Sequence, residues 1–223
     1  MQQRATVKVL QEYSEETELG RGVRQGCCLS PLLFTLYAEA MMLEAMEGVE
    51  ESIKVGGKLL QDVRFVDDQG MVADTENGLQ KIMERLSATA EEYRMKINIK
   101  KTKVMRVSRR GSGGRVSIML EGKEVEQVRN FKYLGSTLSD DGRCDTEIKI
   151  RIALAKEAFS KRKELLTKRF SRRVKKKLIK TLVWTTLLYS CETWTLRKDE
   201  IRRLEAMEMW LWRRMEKLAI RKG

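Results

Sequence analysis

The chain has 223 residues, and its 45 Lys and Arg against 32 Asp and Glu give a net charge of +13, which favours a polyanionic partner such as nucleic acid. A hydrophobic content of 42% supports a folded core, and the length allows one large or two modest domains. The complete absence of histidine excludes His-based catalytic triads, His-containing zinc sites and imidazole general bases.

The amino-terminal segment shows two local patterns. Residues 5–19 alternate weakly between polar and apolar positions around a polar turn, which predicts a hairpin. Three glycines between residues 20 and 26 then predict a loop. There is no signal-peptide pattern at the start, so we expect an intracellular protein of the cytoplasm or nucleus.

A helix is predicted directly after this loop. Ser30 followed by Pro31, the only proline, indicates an N-cap and a first helical position, and the helix should run to about Glu47. Polar residues interrupt the apolar stretch 26–43, so a buried helix is favoured over a membrane span. The adjacent Cys27 and Cys28 are expected to pack as small hydrophobic residues, since the four cysteines form no C-x-x-C metal or redox pair.

Two neighbouring carboxylates, Asp67 and Asp68, lie between apolar strands predicted at 60–66 and 71–73, at the tip of a hairpin. Two such charges repel each other unless a cation compensates them, and Mg²⁺ is held by a few carboxylates together with substrate phosphates. A polar turn without a metal is the alternative, and Asp140-Asp141-Gly142 is expected to be such a turn.

The remaining chain changes character near residue 146. Before it we predict a helix at 79–95, a strand at 96–107, an exposed loop at 109–115, and strands at 116–120 and 130–138. After it, long helical patterns end with a helix at about 199–219. Residues 151–180 contain 13 Lys and Arg against two Glu, which indicates either a nucleic-acid contact or a solvated helix face.

Four segments, in this order, resemble the reverse transcriptases of non-LTR (LINE-like) retrotransposons, of the endonuclease–reverse-transcriptase type. They are the Gly-Val-Arg-Gln-Gly-x-x-Leu-Ser-Pro segment from residue 22, Phe65-Val66-Asp67-Asp68, the Met-Lys-Ile-Asn-x-x-Lys-Thr-Lys segment from residue 95, and Phe131-Lys132-Tyr133-Leu134-Gly135. The basic helices from residue 148 onward and Tyr189-x-Cys191-Glu192-Thr193-Trp194 resemble the thumb of the same proteins. Phe65 and Val66 depart mildly from the usual Tyr and Ala, and Gln69 replaces a usual Thr or Ile.

The resemblance implies an RNA-directed DNA polymerase that acts on an RNA template, a DNA primer and dNTPs, with Mg²⁺ or Mn²⁺ as cofactor. It assigns catalysis and metal binding to Asp67 and Asp68. The residues implied to contact nucleotide or template are Arg24, Gln25, Gly26, Phe65 and Lys101, and those of the primer grip are Tyr133, Leu134 and Gly135. The residues expected to follow the nucleic-acid backbone are Lys161, Arg162, Lys168, Arg169, Arg172, Arg173, Lys175 and Lys176.

The family has a third catalytic Asp on a strand before the Gly-x-x-Gln-Gly loop, and none of the residues before Arg21 is Asp. We therefore expect a polymerase segment without the earlier palm, the fingers and the endonuclease, and expect this chain alone to be inactive. The lost strand should leave an unpaired sheet edge beside the Asp67-Asp68 hairpin, which is an aggregation liability. A non-catalytic basic RNA- or DNA-binding module and an inert retroelement remnant are the alternatives.

The predicted fold class is α+β. Residues 1–145 should form a partial reverse transcriptase palm, a small antiparallel sheet backed by the helices near 31–47 and 79–95. Residues 146–223 should form a mainly helical, basic thumb. The four tryptophans are expected mostly in the core.

Overall fold

The structure is a computed structural model that describes residues 3–19, 26–108, 114–167 and 170–216. The chain forms two compact units: the first comprises Met1–Asn98 and Ile118–Lys123, and the second comprises Ile99–Ser117 and Glu124–Gly223. Helices and short strand pairs occur together, so the predicted α+β class is confirmed at that level. The division into a palm and a thumb near residue 146 stays a prediction.

The helices follow the sequence periodicity closely. The predicted helices at 31–47 and 79–95 are confirmed, with starts one and three residues earlier than expected. The α-helices are α1 Ser30–Met46, α2 Glu76–Glu92, α3 Asp145–Lys161, α4 Lys163–Thr167, α5 Arg172–Ile179, α6 Thr185–Leu187 and α7 Lys198–Met215. A π-helical turn, Lys180–Trp184, joins α5 to α6, and a 3₁₀-helix, Cys191–Thr193, precedes α7.

The strands of the described ranges are short and pair two by two, so the single palm sheet that we predicted is not formed among them. The pairs are β1 Gln3–Ala5 with β4 Thr17–Leu19, β2 Lys8–Val9 with β3 Glu12–Tyr13, β5 Ile53–Val55 with β6 Lys58–Leu60, β7 Asp62–Phe65 with β8 Asp68–Met71, β9 Lys103–Val104 with β12 Glu126–Gln127, β10 Met119–Leu120 with β11 Lys123–Glu124, and β13 Asn130–Tyr133 with β14 Ser136–Ser139. The pair of β9 and β12 is parallel. The predicted hairpin at 5–19 is confirmed by the first two pairs.

The long strand predicted at 96–107 is wrong, because only Lys103–Val104 forms a strand there. Residues 95–100 do alternate between half-buried and exposed positions, as the pattern suggested. Met95 and Ile97 reach the half-buried state by packing on the helices of the first unit. Alternation therefore reflects contact with a helix pair at this point and not membership of a sheet.

In the first unit, α1 and α2 pack against each other and hold the β7–β8 hairpin. Their shared core consists of Met41, Met42 and Ala45 from α1 and Leu86 and Ala90 from α2. Met71, the last residue of β8, packs on the same cluster. The β7–β8 hairpin is thus attached at its base to the helix pair.

The opposite side of α1 is apolar as well, yet it is exposed within the part of the chain that the structure describes. Ordinary surface helices have one apolar stripe, and a helix that is apolar all round is usually enclosed. The exposed apolar side chains of this surface, which we call the outer face of α1, are Leu29, Leu32, Leu33, Leu36 and Leu43.

The second unit has its own core among its helices. Phe159 of α3, Val183 of the π-helical turn and Leu211 of α7 are buried at its centre. The ring of Trp210 contacts Phe159 edge-on at 5.4 Å between centroids. Three tryptophans, Trp184, Trp210 and Trp212, pack half-buried against this cluster, as their predicted core role requires.

Across the described ranges, every helix is too short or too polar to cross a lipid bilayer.

Candidate active site

The two predicted catalytic carboxylates lie at the end of the β7–β8 hairpin. Phe65 pairs with Asp68 and Arg64 pairs with Gln69, which leaves Val66 and Asp67 as a two-residue loop. The predicted hairpin is confirmed, but its loop is shorter than expected because Asp68 already belongs to β8. Asp67 and Asp68 are both exposed, so the pair is presented to solvent and not buried against apolar atoms.

The loop of this hairpin contains an unusual backbone conformation. Val66 has φ of +55°, in the left-handed region. The first position of a two-residue hairpin loop commonly requires positive φ and is therefore usually Gly, Asn or Asp. For a β-branched residue this conformation is strained, and such strain concentrates at functional sites.

Ion pairs fix β7 on α1. Arg64 of β7 lies 2.8 Å from the carboxylate of Glu39 on α1 and 3.1 Å from that of Asp62 on its own strand. Just before the strand, the Gln61 side-chain amide donates to the carbonyl of Val49. These contacts, with Met71 in the core, attach both strands of the hairpin to the helix pair.

The second Asp pair behaves as the ordinary turn that we predicted. The carboxylate of Asp141 accepts hydrogen bonds from the Ser139 hydroxyl at 2.6 Å and from the backbone N–H of Arg143 at 3.0 Å. The hydrogen bond from Ser139, and to a smaller extent that from Arg143, hold the pKa of Asp141 below its ordinary value. Its carboxylate therefore stabilises a turn, whereas Asp67 and Asp68 lie outward at a loop tip.

Metal binding by Asp67 and Asp68 would need help from other ligands. No group of three Cys, Asp or Glu side chains with metal-binding proximity occurs among the residues that the structure describes. Two adjacent exposed carboxylates fit a divalent ion that takes most of its other ligands from substrate phosphates and water. They do not form a closed protein site.

The segment before α1 is described from Gly26 onward, so Arg24 and Gln25 lie outside the described residues. Gly26 has φ of +87°, a conformation that favours glycine. The N-cap position of α1 is Leu29 and not the predicted Ser30, which is the first helical residue and is buried. Pro31 lies in the first turn, as predicted.

The predictions for the cysteine pair before α1 and for Phe65 can be compared with the side-chain exposure, while the proposed nucleotide contact of Phe65 stays a prediction. The prediction that Cys27 and Cys28 pack as small hydrophobic residues is wrong, because both are exposed. They lie in the chain just before α1. Hydrogen bonds from the Leu29 backbone and then the Ser30 side chain lower the pKa of the Cys27 thiol. Phe65, from the same hairpin as the aspartates, is also exposed.

Lys101 and the predicted primer grip belong to the second unit. Lys101 is exposed just before β9. Tyr133, Leu134 and Gly135 form the end of the β13–β14 hairpin, where Tyr133 pairs with Ser136 and the two loop residues have φ of +48° and +80°. The single strand predicted at 130–138 is wrong, because a turn at Leu134 and Gly135 divides this segment into β13 and β14. The role of the hairpin stays a prediction.

Three residues without an assigned role in the sequence analysis surround that loop: Glu147, Arg151 and Tyr189. Arg151 donates to the Gly135 carbonyl, and the Tyr189 hydroxyl donates to the Leu134 carbonyl at 2.9 Å. Glu147 and Arg151 form a buried ion pair one turn apart on α3. Their i, i+4 spacing is visible in the sequence, but their long-range partners are not.

Most of the predicted nucleic-acid backbone residues are exposed. Those on the described helices and their ends are Lys161, Arg162, Arg172, Arg173 and Lys176, whereas Lys168 and Arg169 lie outside the described residues. Lys175 differs, because it is buried and its ammonium group donates to the carbonyl of Met215 at 3.1 Å. It thus stabilises the carboxyl end of α7 from within the protein.

Half-buried indole rings lie close to several of the basic side chains. Trp210 has Arg214 at 4.3 Å and Lys156 at 5.7 Å from its ring centroid. Lys176 lies 5.9 Å from Trp212, and Lys180 lies 6.0 Å from Trp184. These cation–π contacts order the cationic side chains while their charged ends stay near solvent.

Comparison with known proteins identifies the family to which the chain belongs. Residues 2–138 match the family described as reverse transcriptase (RNA-dependent DNA polymerase). The match covers more than half of the chain, and it includes the Asp67-Asp68 hairpin, α1 and α2. This protein belongs to the reverse transcriptase family, whose members generally use divalent metal ions.

The relatives are products of mobile elements. The chain is 27% identical over 165 residues to a transposon-derived protein of Caenorhabditis elegans, covering 73% of this chain and 59% of that protein. It is 28% identical over 142 residues to the retrovirus-related Pol polyprotein from type-1 retrotransposable element R2 of Nasonia vitripennis, covering 60% and 14%. A third relative, the Pol polyprotein from type-2 retrotransposable element R2DM of Drosophila melanogaster, is 28% identical over 140 residues, covering 58% and 13%.

These matches confirm the predicted resemblance to non-LTR retrotransposon reverse transcriptases. The chain spans about three fifths of the worm protein and a small share of the two Pol polyproteins. The activities of complete polyproteins therefore come to this chain only as proposals.

Replacement of Val66 by Gly should increase stability. A left-handed backbone destabilises a residue with a side chain by about 1–2 kcal/mol, and glycine avoids this strain. Glycine also has more conformational freedom in the unfolded chain, which offsets about 0.5–1 kcal/mol of that advantage. We expect a net gain of about 0.5–1 kcal/mol in the free energy of unfolding, measured by urea denaturation. Val63→Gly, at an ordinary strand position of the same hairpin, is the control and should lose about 1 kcal/mol; equal losses in both variants would contradict strain at Val66.

A fall in pH should lower the stability of the second unit, because Glu147 becomes protonated. Burial raises the pKa of this carboxyl, but the hydrogen bonds from Arg151 and Thr137 outweigh burial and place the pKa below its ordinary value. Its stabilising contribution is therefore complete above the unfolded pKa of about 4.3 and is lost as the pH falls through the lower folded value.

Urea unfolding at pH 3 to 7 checks this expectation. Glu147→Gln should lower the free energy of unfolding by about 3 kcal/mol at neutral pH, because the buried Arg151 loses its counter-charge. The deficit relative to the wild type should shrink below about pH 4. The exposed Glu205→Gln on α7 is the control and should follow the wild-type pH profile; a Glu147→Gln deficit that stays constant down to pH 3 would contradict the pKa direction.

Proposed function

We propose that this chain is the later palm and the thumb of an RNA-directed DNA polymerase of a non-LTR retrotransposon. The observation that supports this most directly is the outward presentation of Asp67 and Asp68 on a two-residue loop, within the segment that matches the reverse transcriptase family. Residues 1–145 are proposed as the partial palm and residues 146–223 as the thumb. The proposed substrates are an RNA template, a DNA primer and dNTPs.

The proposed reaction is nucleotidyl transfer. The 3′-hydroxyl of the primer gives its proton to water, and its oxygen forms a bond to the α-phosphorus of the dNTP. The bond from that phosphorus to the bridging oxygen breaks, and pyrophosphate leaves. Asp67, with Asp68, would hold Mg²⁺, or Mn²⁺ in its place. When bound, such an ion stabilises the charge on the attacking and leaving oxygens.

Other residues of the chain are proposed to position the substrates. Arg24, Gln25, Gly26 and Phe65 would contact the incoming nucleotide and the template, and Lys101 would neutralise triphosphate charge. Close approach of a nucleotide to the backbone at Gly26 agrees with its left-handed conformation and its lack of a side chain. Tyr133, Leu134 and Gly135 would contact the primer.

The exposed basic side chains of the second unit are proposed to follow the phosphate backbone of the template–primer duplex. This group, which we call the basic surface, consists of Lys161, Arg162, Arg172, Arg173 and Lys176. Lys175 is left out because its ammonium group is engaged by the end of α7. Lys168 and Arg169 belong to the same basic run of the sequence and are proposed to contact the backbone as well.

Two carboxylates make an incomplete two-metal site, so we propose that these 223 residues alone do not catalyse the reaction. The absence of a third neighbouring acidic or cysteine ligand among the described residues supports this. A non-catalytic RNA- or DNA-binding module is the second candidate, and the exposed basic surface favours it because binding through that surface needs no metal.

Primer extension tests the polymerase proposal. The complete reading frame that contains these residues should extend a DNA primer on an RNA template, and Asp67→Asn should lower the rate by about 10²–10³-fold, because charge stabilisation in the transition state is lost. Asp140→Asn, from the second Asp pair, is the matched control and should stay within about twofold of the wild type.

Two results of that assay would contradict the proposal. Extension that is insensitive to Asp67→Asn would remove the catalytic role of the hairpin. Extension by the 223 residues alone, above the rate of their own Asp67→Asn variant, would show that the two carboxylates suffice.

Nucleic-acid binding tests the basic surface. Each phosphate contact contributes about −0.9 to the slope of log K against log salt concentration. The combined change of Arg172, Arg173 and Lys176 to Gln should therefore reduce the magnitude of this slope by about 2–3.

The matched control changes three exposed lysines of the first unit, Lys54, Lys58 and Lys123, to Gln, with the same loss of charge. This control should leave the slope within about one of the wild-type value. Equal reductions in both triple variants would mean that net charge, and not the basic surface, governs binding.

A further inference from the structure

The loop of the β13–β14 hairpin is held by side chains from two distant parts of the second unit. Leu134 and Gly135 both have left-handed backbone conformations and form a sharp turn. The carbonyl groups of this turn can accept hydrogen bonds from side chains outside the hairpin. The Leu134 carbonyl accepts the Tyr189 hydroxyl at 2.9 Å, and the Gly135 carbonyl accepts a guanidinium N–H of Arg151 at 2.5 Å. Both loop carbonyls are thereby bound to protein donors.

The Arg151 guanidinium is itself fixed on three sides. Its Nε donates to one carboxylate oxygen of Glu147 at 2.5 Å. The other carboxylate oxygen of Glu147 accepts the backbone N–H of Thr137 in β14 at 2.7 Å. The ring of Tyr189 lies over the guanidinium at 4.4 Å. We call Glu147, Arg151 and Tyr189 the turn clamp.

Two of the three residues of the turn clamp, Glu147 and Arg151, are buried, and their burial constrains the loop. The side chains of Glu147 and Arg151 are 3% and 9% exposed, so neither charge can be left without its partner at low cost. A side chain at Gly135 would place its Cβ 3.2 Å from the Tyr189 hydroxyl oxygen, which shows how closely Tyr189 approaches the turn. The loop therefore cannot move without breaking hydrogen bonds to a buried pair.

We propose that Arg151, supported by Glu147 and Tyr189, is a positioning residue that fixes the Tyr133-Leu134-Gly135 turn against the helices of the second unit so that it can hold the 3′ end of a primer strand. This inference rests on the proposed function of that turn as the primer grip. In this role Arg151 acts through the Gly135 carbonyl and not on the reacting atoms. The basic surface would supply binding affinity, and the turn clamp would set where the primer end lies.

Photo-cross-linking of the 223-residue chain separates these two contributions. The probe is an RNA template annealed to a DNA primer that ends in 4-thiothymidine, and the cross-linked peptide is identified by mass spectrometry. The wild type should cross-link at residues 133–135. Arg151→Lys keeps the charge but replaces the planar fork, which reaches Glu147 through Nε and Gly135 through Nη2, by one ammonium nitrogen, so the cross-link yield there should fall about tenfold.

Tyr189→Phe keeps the ring over Arg151 and removes only the hydrogen bond to Leu134, so this mild variant should fold and reduce the yield about threefold. The matched control is Arg203→Lys, since Arg203 also pairs with α3, but through Asp145 at the start of that helix. The dissociation constant for the duplex should stay within about twofold in all variants, because the phosphate contacts remain. Hydrogen exchange at the Thr137 N–H should accelerate in Arg151→Lys and not in the control.

The outcomes distinguish the inference from the function on which it rests. Wild-type cross-links away from residues 133–135 would overturn the proposed primer grip, and the inference with it. A wild-type cross-link at these residues whose yield is unchanged in Arg151→Lys and Tyr189→Phe would overturn the positioning role alone. Failure of the wild type to bind the duplex would overturn the proposed function, and the inference with it.

Discussion

The two-residue connection between β7 and β8 determines where the candidate catalytic carboxylates lie. In a strand, neighbouring side chains alternate between faces, so a shift of the pairing by one residue would turn Asp68 and its neighbours to the opposite face. Arg64, held by Glu39 of α1, and Met71, packed against the core that the two helices share, fix this register from both strands. The packing of α1 on α2 therefore has a direct consequence for the geometry of a loop that neither helix contains.

Much of the first unit was predictable, because its signals are local. The apolar periodicity of α2, Pro31 at the start of α1, and the two apolar runs around Asp67 and Asp68 each specify an element without reference to distant residues. The left-handed backbone at Val66 was not predictable in this way. A β-branched residue argues against that conformation, and only the fixed register of the hairpin imposes it.

The second unit shows where sequence patterns stop being informative. A basic run predicts an anion-binding surface as a whole, but it does not show that Lys175 points inward to the end of a helix forty residues later. Likewise, Glu147 and Arg151 look like an ordinary surface pair on α3 until Thr137 and Gly135 are seen to complete their hydrogen bonds. These partners are set by tertiary packing, and long-range hydrogen bonds have no signature in the local residue pattern.

The outer face of α1 has a thermodynamic consequence for the protein as a whole. Burial of one leucine side chain contributes about 1.5–3 kcal/mol, and several leucines of this helix remain in water within the described residues. Any protein surface that covers them would bind the native chain and not the unfolded one, and would raise its apparent stability by mass action. The melting temperature of these 223 residues would then depend on whether such a surface is bound, as well as on their sequence.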